Sequence, residues 1–199
     1  LHRRRHSFPT RRSSDLSSGA FHTKDTYTVK YGKIEVRTTM PKGIGTWPAI
    51  WMWPENYSIK DNKPASGEID ITEVYGDNFR KVTGTAHALK ADNTYKSFLG
   101  SNLKIRKSEN LEDYNTYAIE WNEKEIIWLF NGRKYKSIKT KDVLKYAKNP
   151  FDQPYYIMIN LALQNKTGND PATLKDFPTE MKIDYVRVYQ KMNPLRYVD

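Results

Sequence analysis

Gly67-Glu68-Ile69-Asp70-Ile71-Thr72-Glu73 is the stretch whose reading decides the fold. Glu68 and Asp70 alternate with Ile69 and Ile71, a period of two. That period belongs to a β-strand with acids on one face and a core on the other. Like charges on one short strand repel one another, so their company asks for a reason. Carboxyl groups whose proton affinities are driven apart are a common device for cutting glycosidic bonds. Glu68, Asp70 and Glu73 are therefore candidate catalytic groups.

Glu73 lies three residues past Asp70, so on a regular strand it would point into the core. A lone buried carboxylate costs several kcal/mol. One extra residue bulged between Ile71 and Glu73 resets the alternation and returns all three acids to one face. At about 3.3 Å per residue, Glu68 and Glu73 would then stand roughly 13 Å apart at Cα. Side chains leaning together can close that to the ~5–5.5 Å of a retaining carboxyl pair. Three acidic oxygens could also hold Ca²⁺, although calcium loops carry Gly and Asn turns and backbone ligands rather than a hydrophobic strand.

The neighbouring stretches read as strands as well. Upstream, Thr46-Trp47-Pro48-Ala49-Ile50-Trp51-Met52-Trp53 puts Trp47, Ala49, Trp51 and Trp53 on one face, with Pro48 marking an edge or irregular start. Further upstream, Lys33 to Met40 alternates, with Ile34 and Val36 on the apolar face. Downstream, Lys81 to Leu89 sets Val82, Gly84, Ala86 and Ala88 opposite Thr83, Thr85 and His87. Tyr114 to Trp121 alternates again. Glu125–Phe130, Asn131-Gly132 and Lys134–Ile138 form a hairpin, since Asn-Gly favours a type I′ turn. Tyr155 to Leu163 is an apolar strand interrupted by Asn160, and Met181 to Tyr189 is the last strand. Thr140 to Ala147 is the one helix expected, and residues 54–66 and 164–178 read as loops. Short strands joined by turns, with no regular helix between them, give an all-β antiparallel sandwich.

The chain has 199 residues, enough for one domain with a real core. It has no cysteine, which excludes disulfides and thiolate chemistry. No apolar run reaches the ~18 residues of a membrane span. The net charge is +10, and Arg3, Arg4, Arg5, Arg11 and Arg12 supply half of it. A basic start raises nucleic-acid binding as one reading. Residues 1–16, however, have no apolar periodicity and no signal-peptide core, and they look like translated adapter sequence rather than protein. Neither nucleic acid nor membrane is expected as a partner.

Several blocks together resemble glycoside hydrolase family sixteen. They are the acidic motif; Ser18-Gly19 with Tyr31 to Arg37; Thr46 to Met52; Gly84-Thr85-Ala86-His87; Tyr117 to Trp121; Asn160-Leu161-Ala162; and Asp184 to Tyr189. They stand in that family's order over roughly residues 17–190. The resemblance implies a β-jelly-roll sandwich, concanavalin-like, with a concave cleft. It implies endo-hydrolysis of a β-linked polysaccharide with retention. By motif position, Glu68 is the nucleophile, Glu73 the acid/base and Asp70 the helper. The extra residue before Glu73 resembles the laminarinase, agarase and carrageenase branch.

The chain also departs from that pattern. The family's first strands have no counterpart, so the division expected is a non-native or disordered tail over 1–16, the hydrolase domain over 17–190 and a tail over 191–199. Many laminarinases carry a Trp just before the nucleophile, where Asp61-Asn62-Lys63-Pro64 stands here. Leu163-Gln164-Asn165 replaces a frequent Gly-Gly pair. Asp184 sits where the family can hold a structural calcium, but the partners from the first strands are missing, so no metal is predicted and none is needed for catalysis.

The remaining candidates have two readings each. Trp47, Trp51 and Trp53 are core or sugar platforms, with Trp51 and then Trp47 the first choices for the cleft. His87 is structural or touches a sugar hydroxyl or leaving group. Trp121 ends its strand in the core or in the cleft. Asn160 bonds backbone or reaches sugar, since a buried Asn must be satisfied. The expectation is a monomeric enzyme, secreted, periplasmic or at the cell surface, that cuts a β-1,3- or mixed-linkage β-glucan. A galactan-cutting agarase or carrageenase and a non-catalytic glucan-binding lectin are the alternatives.

Overall fold

The structure, a computed structural model, describes residues 17–57, 65–99, 102–164 and 176–191. The expected tails, save Lys191, and most of the loops 54–66 and 164–178 lie outside the described residues. Twelve strands are described: β1 (Gly19–His22), β2 (Gly32–Thr38), β3 (Thr46–Pro54), β4 (Gly67–Glu73), β5 (Lys81–Leu89), β6 (Tyr95–Ser97), β7 (Leu103–Lys104), β8 (Asn115–Trp121), β9 (Glu125–Phe130), β10 (Arg133–Lys139), β11 (Tyr155–Leu163) and β12 (Ile183–Tyr189). They form two antiparallel sheets. One is ordered β1-β11-β3-β4-β5-β6, with β7 beside β5, and the other β10-β9-β8-β2-β12. This is the all-β antiparallel sandwich read from the alternating strands, and the jelly roll that the family resemblance implied.

The core lies between the sheets and is built from the inward half of each alternation. Ile50 and Met52 of β3, Ile69 and Ile71 of β4, and Ala86 and Ala88 of β5 meet Ile34 and Val36 of β2, Tyr117 and Ile119 of β8, and Trp128 and Phe130 of β9. Each of the larger aliphatic side chains and Phe130 contributes about 1.5–3 kcal/mol on full burial, and each alanine less. The Asn131-Gly132 hairpin forms with both residues at positive φ, 47° and 72°, as a type I′ turn requires. The expected helix is shorter than its pattern. It spans Thr140–Val143 only, and no side chain caps its start. A four-residue helix without a cap has little to sustain it beyond the burial of Val143.

The sheet that carries the acids is irregular at one place. Asp70 stands opposite Thr85 and Glu73 opposite Thr83, so three steps along β4 match two along β5. On the other side Trp51 faces Asp70 while Ile50 faces Thr72, skipping Ile71. The Ile71–Thr72 pair therefore bulges opposite Gly84. Gly84 leaves the space this requires: a Cβ there would stand 2.2 Å from Cδ1 of Trp128. Trp128 uses that space to donate its indole N–H across the sandwich to the backbone carbonyl of Asp70, at 2.7 Å.

Candidate active site

The bulge puts Glu68, Asp70 and Glu73 on the outer face of β4. They line one groove of about 230 Å³ together with Trp47, Trp51, Trp53 and Asn160. Among the described residues a larger hollow of about 890 Å³ lies near Lys30, Tyr31, Trp121 and Tyr189. The carboxylate cluster, and with it the chemistry, belongs to the smaller groove.

Each tryptophan of β3 donates its indole N–H to a different polar group. Trp53 donates to Glu68 Oε2 at 2.6 Å, Trp51 to Asn160 Oδ1 at 2.7 Å and Trp47 to Glu73 Oε1 at 3.0 Å. The cause is register. Residues 47, 51 and 53 share a face by the strand period, and β3 lies between β11, which brings Asn160, and β4, which brings the acids. Tyr75 adds a second donor to Glu73 at 3.3 Å and stacks on Trp47 with ring centroids 5.4 Å apart. Trp53 meets Trp51 and Tyr57 edge-on, at 4.5 and 4.6 Å.

Behind the glutamates stands a second row. Asp70 is 3% exposed. Its Oδ2 lies 3.1 Å from His87 Nε2, and His87 Nδ1 lies 2.8 Å from Ser97 Oγ. Because β5 pairs Glu68 with His87 and β6 pairs His87 with Ser97, one line of neighbours runs from Glu68 to the sheet edge.

Burial sets the charge of the cluster. Desolvation, followed by repulsion from Asp70, pushes Glu68 up to about 7, against the opposing Trp53 N–H. Asp70 is raised well above the carboxylate range by burial and then by Glu73, while its bond with Glu68 and the charge of Lys136 act the other way. Glu73 is raised by burial, against its donors Trp47 and Tyr75. Three carboxyl groups held this close and this dry retain a proton near neutrality. One acid beside one carboxylate is what double-displacement chemistry at a sugar needs.

The placement of the sequence candidates is now clear. Glu68, Asp70, Glu73, Trp47, Trp51 and Asn160 come together in the groove. His87 stands beside them, bonded to Asp70 rather than lining the open space. Trp121 does not join them. It is on β8 of the opposite sheet, where the strand period that buries Tyr117 and Ile119 also turns it inward, 2% exposed, edge-on to Tyr31 and Tyr155. The cleft place expected for Trp121 is corrected to a core place. Trp53, weighed with Trp47 and Trp51 as core or platform but ranked behind them, joins the groove as a donor to Glu68. Two participants carried no role in the sequence reading. Tyr75 stands two residues beyond Glu73, so the same period could have found it. Ser97 had no such signal.

Two metal sites can be weighed. Glu68, Asp70 and His87 bring ligand atoms within 4.8 Å of one another. All three are already engaged, with Trp53, with one another and with Ser97. At the family's calcium position, Asp184 is taken by the guanidinium of Arg37, which also lies over the Tyr114 ring.

The family model described as glycosyl hydrolases family 16 matches residues 6–187, starting ahead of the boundary expected at residue 17. A glucan endo-1,3-beta-glucosidase A1 of Niallia circulans is 34% identical over 194 residues, covering 93% of this chain and 28% of that protein. A beta-glucanase of Rhodothermus marinus is 34% identical over 80% of this chain and 57% of its own length. This chain thus spans just over a quarter of one of these relatives and just over half of the other. The catalytic domain of an endo-1,3-beta-glucanase (laminarinase) from Thermotoga petrophila RKU-1 superposes with a TM-score of 0.73 at 33% identity, over 87% of this chain and 69% of that one. With a bulged acidic strand, indole donors on the strand beside it and a family match along most of its length, this chain belongs to glycosyl hydrolase family 16.

Proposed function

We propose that the chain is a retaining endo-β-glycanase acting on β-1,3- or mixed-linkage β-glucan. The observation that carries this reading is the bulge at Ile71–Thr72, which brings Glu73 round to the face of Glu68 and Asp70. The names of the relatives, glucanases and laminarinases, support the glucan. The groove suits a chain of sugars, because indole faces and N–H edges together offer stacking surface and fixed donors.

The residues divide the work. Glu68, ionised, attacks the anomeric carbon and forms a glycosyl-enzyme ester. Glu73 gives its proton to the departing glycosidic oxygen, then takes a proton from water as that water attacks the ester. Asp70 exchanges a hydrogen bond with Glu68 and can hold the proton that Glu68 must lack. Trp53 stabilises the Glu68 carboxylate, and Trp47 with Tyr75 stabilises the Glu73 carboxylate of the second step. Every proton in this sequence moves between carboxyl groups, sugar and water, so the proposal includes no cofactor. A polymeric substrate suits an enzyme that works outside the cytoplasm, and we place it there as a monomer. Among the described residues no helix is long and apolar enough to cross a membrane.

The test is release of reducing ends from laminarin, lichenan, agarose and κ-carrageenan. Cleavage of the first two is expected. A folded protein that cuts only the galactans would reassign the substrate, and one that binds laminarin but cuts nothing would make the chain a lectin.

A further inference from the structure

Among the described residues, two side chains of charged type are fully buried, Asp70 and Lys136. Lys136 has no part in the chemistry above, yet burial of an ammonium costs several kcal/mol unless it is well satisfied. It lies on β10, the edge strand of the sheet opposite the acids. The ladder between β10 and β9 skips Tyr135, so that Lys136 stands directly opposite Trp128 and shares its inward face. The ammonium sits 4.7 Å from the Trp128 ring centroid and donates to three backbone carbonyls, those of Gly84, Phe98 and Leu99. Among the described residues no carboxylate forms an ion pair with it.

Those contacts converge on the acidic cluster from behind. Gly84 lies opposite the bulge of β4. Trp128, under the ammonium, holds the Asp70 carbonyl. Phe98 and Leu99 follow Ser97, whose hydroxyl holds His87 against Asp70, and the Phe98 N–H bonds the Ala86 carbonyl next to His87. We infer that Lys136 is a positioning residue for the acidic cluster, acting through the Phe98–Leu99 backbone on Ser97, His87 and Asp70, and through space on the charge of Asp70. The inference rests on the glycanase reading above. The charges and titratable groups that face Asp70 are Glu68 and Glu73 on its own strand, Tyr75 beyond it, His87 on β5 and Lys136 from β10. Lys136 is the cation on the core side, and its field favours the ionised form of Asp70. An ammonium also fits where a neutral side chain of equal length would not, because only its donors can satisfy three carbonyls at once.

The experiment compares wild type, Lys136→Met and Ser97→Ala. Methionine keeps the length and removes the charge. It reads kcat and KM on laminarin across pH, and follows the Asp70 side-chain carboxyl by ¹³C NMR titration. For Lys136→Met we expect kcat to fall about tenfold, as loss of a charged hydrogen bond would produce, with KM within about twofold. The Asp70 titration should move to higher pH, because the cation that favours its ionised form is gone. Ser97→Ala should lower kcat in the same sense with KM unchanged. A folded Lys136→Met whose Asp70 titration and kcat stay in place overturns the inference, whatever its Tm, since structural support alone would move only Tm. If Lys136→Met does not fold, Ser97→Ala decides: wild-type kcat overturns the inference and a kcat loss at constant KM supports it. A wild type that cuts no glucan sinks the glycanase reading alone, and the Asp70 titration still settles the role of Lys136.

Discussion

Replacing Trp53 with Phe isolates one hydrogen bond at the nucleophile. The ring that packs edge-on against Trp51 and Tyr57 is largely kept, and the N–H that reaches Glu68 at 2.6 Å is lost. A hydrogen bond to a charged group is worth about 1.5–3 kcal/mol. At 1.36 kcal/mol per pH unit, its removal should raise the pH at which Glu68 ionises by roughly one to two units. In the intact protein Glu68 ionises near about 7. At pH 6 about a tenth of it is then ionised, and in the variant about a hundredth to a thousandth. The assay is kcat/KM on laminarin from pH 4 to 9, because that ratio reports the free enzyme's essential groups. The expected result is an acid limb displaced upward and a roughly tenfold to hundredfold loss at pH 6 that shrinks steadily toward alkaline pH. A loss by one constant factor at every pH would refute the reasoning, for it would mean that Trp53 only offers a surface to the sugar.

Other expectations follow from the same geometry. Glu68→Gln and Glu73→Gln should each reduce turnover by more than about a hundredfold, and azide should restore cleavage to Glu73→Ala, with a β-glycosyl azide as product, if a glycosyl-enzyme forms. Glu68→Gln should also stabilise the fold. A carboxyl raised from 4.5 to about 7 binds more protons folded than unfolded, so wild-type stability falls as pH rises through that window. The variant should gain up to about 3 kcal/mol at pH 7 and above and nothing below about pH 4.5, read from urea midpoints. Gly84→Ala should cost about 3 kcal/mol or more, because its Cβ collides with Trp128 and the bulge cannot yield. A folded variant within about 0.5 kcal/mol of wild type would show that the space opposite the bulge is not tight.

Much of this was legible in the residues because β-strands advertise themselves at short range. The alternation around Ile69 and Ile71 gave a half-buried strand, and the one-residue excess before Glu73 gave the bulge that the ladders on both sides display. Trp47, Trp51 and Trp53 were readable as one face for the same reason. Trp121 was not, since alternation says that residues share a face but not which sheet the strand joins. The helix at Thr140 was overread because apolar spacing persists past Val143, where Tyr146 and Ala147 still donate to the Val143 carbonyl but as turns rather than a continued helix. Lys136 and Ser97 were invisible. A lysine in a charged hairpin looks solvated until a slip of one residue in the β10 ladder turns it inward, and that slip depends on Tyr135 finding room between the sheets.

The bond from the Trp128 indole to the Asp70 carbonyl has a consequence for anyone who would move this chemistry elsewhere. A bulge gives up regular ladder bonds on the strand that carries it, and here the carbonyl just before the bulge is met by a donor from the far sheet. The seven-residue acidic motif is thus not a self-sufficient cassette. Grafted onto another sandwich it would bring the carboxylates without their anchor, and the smallest transferable unit is the motif together with Trp128 and the empty place at Gly84.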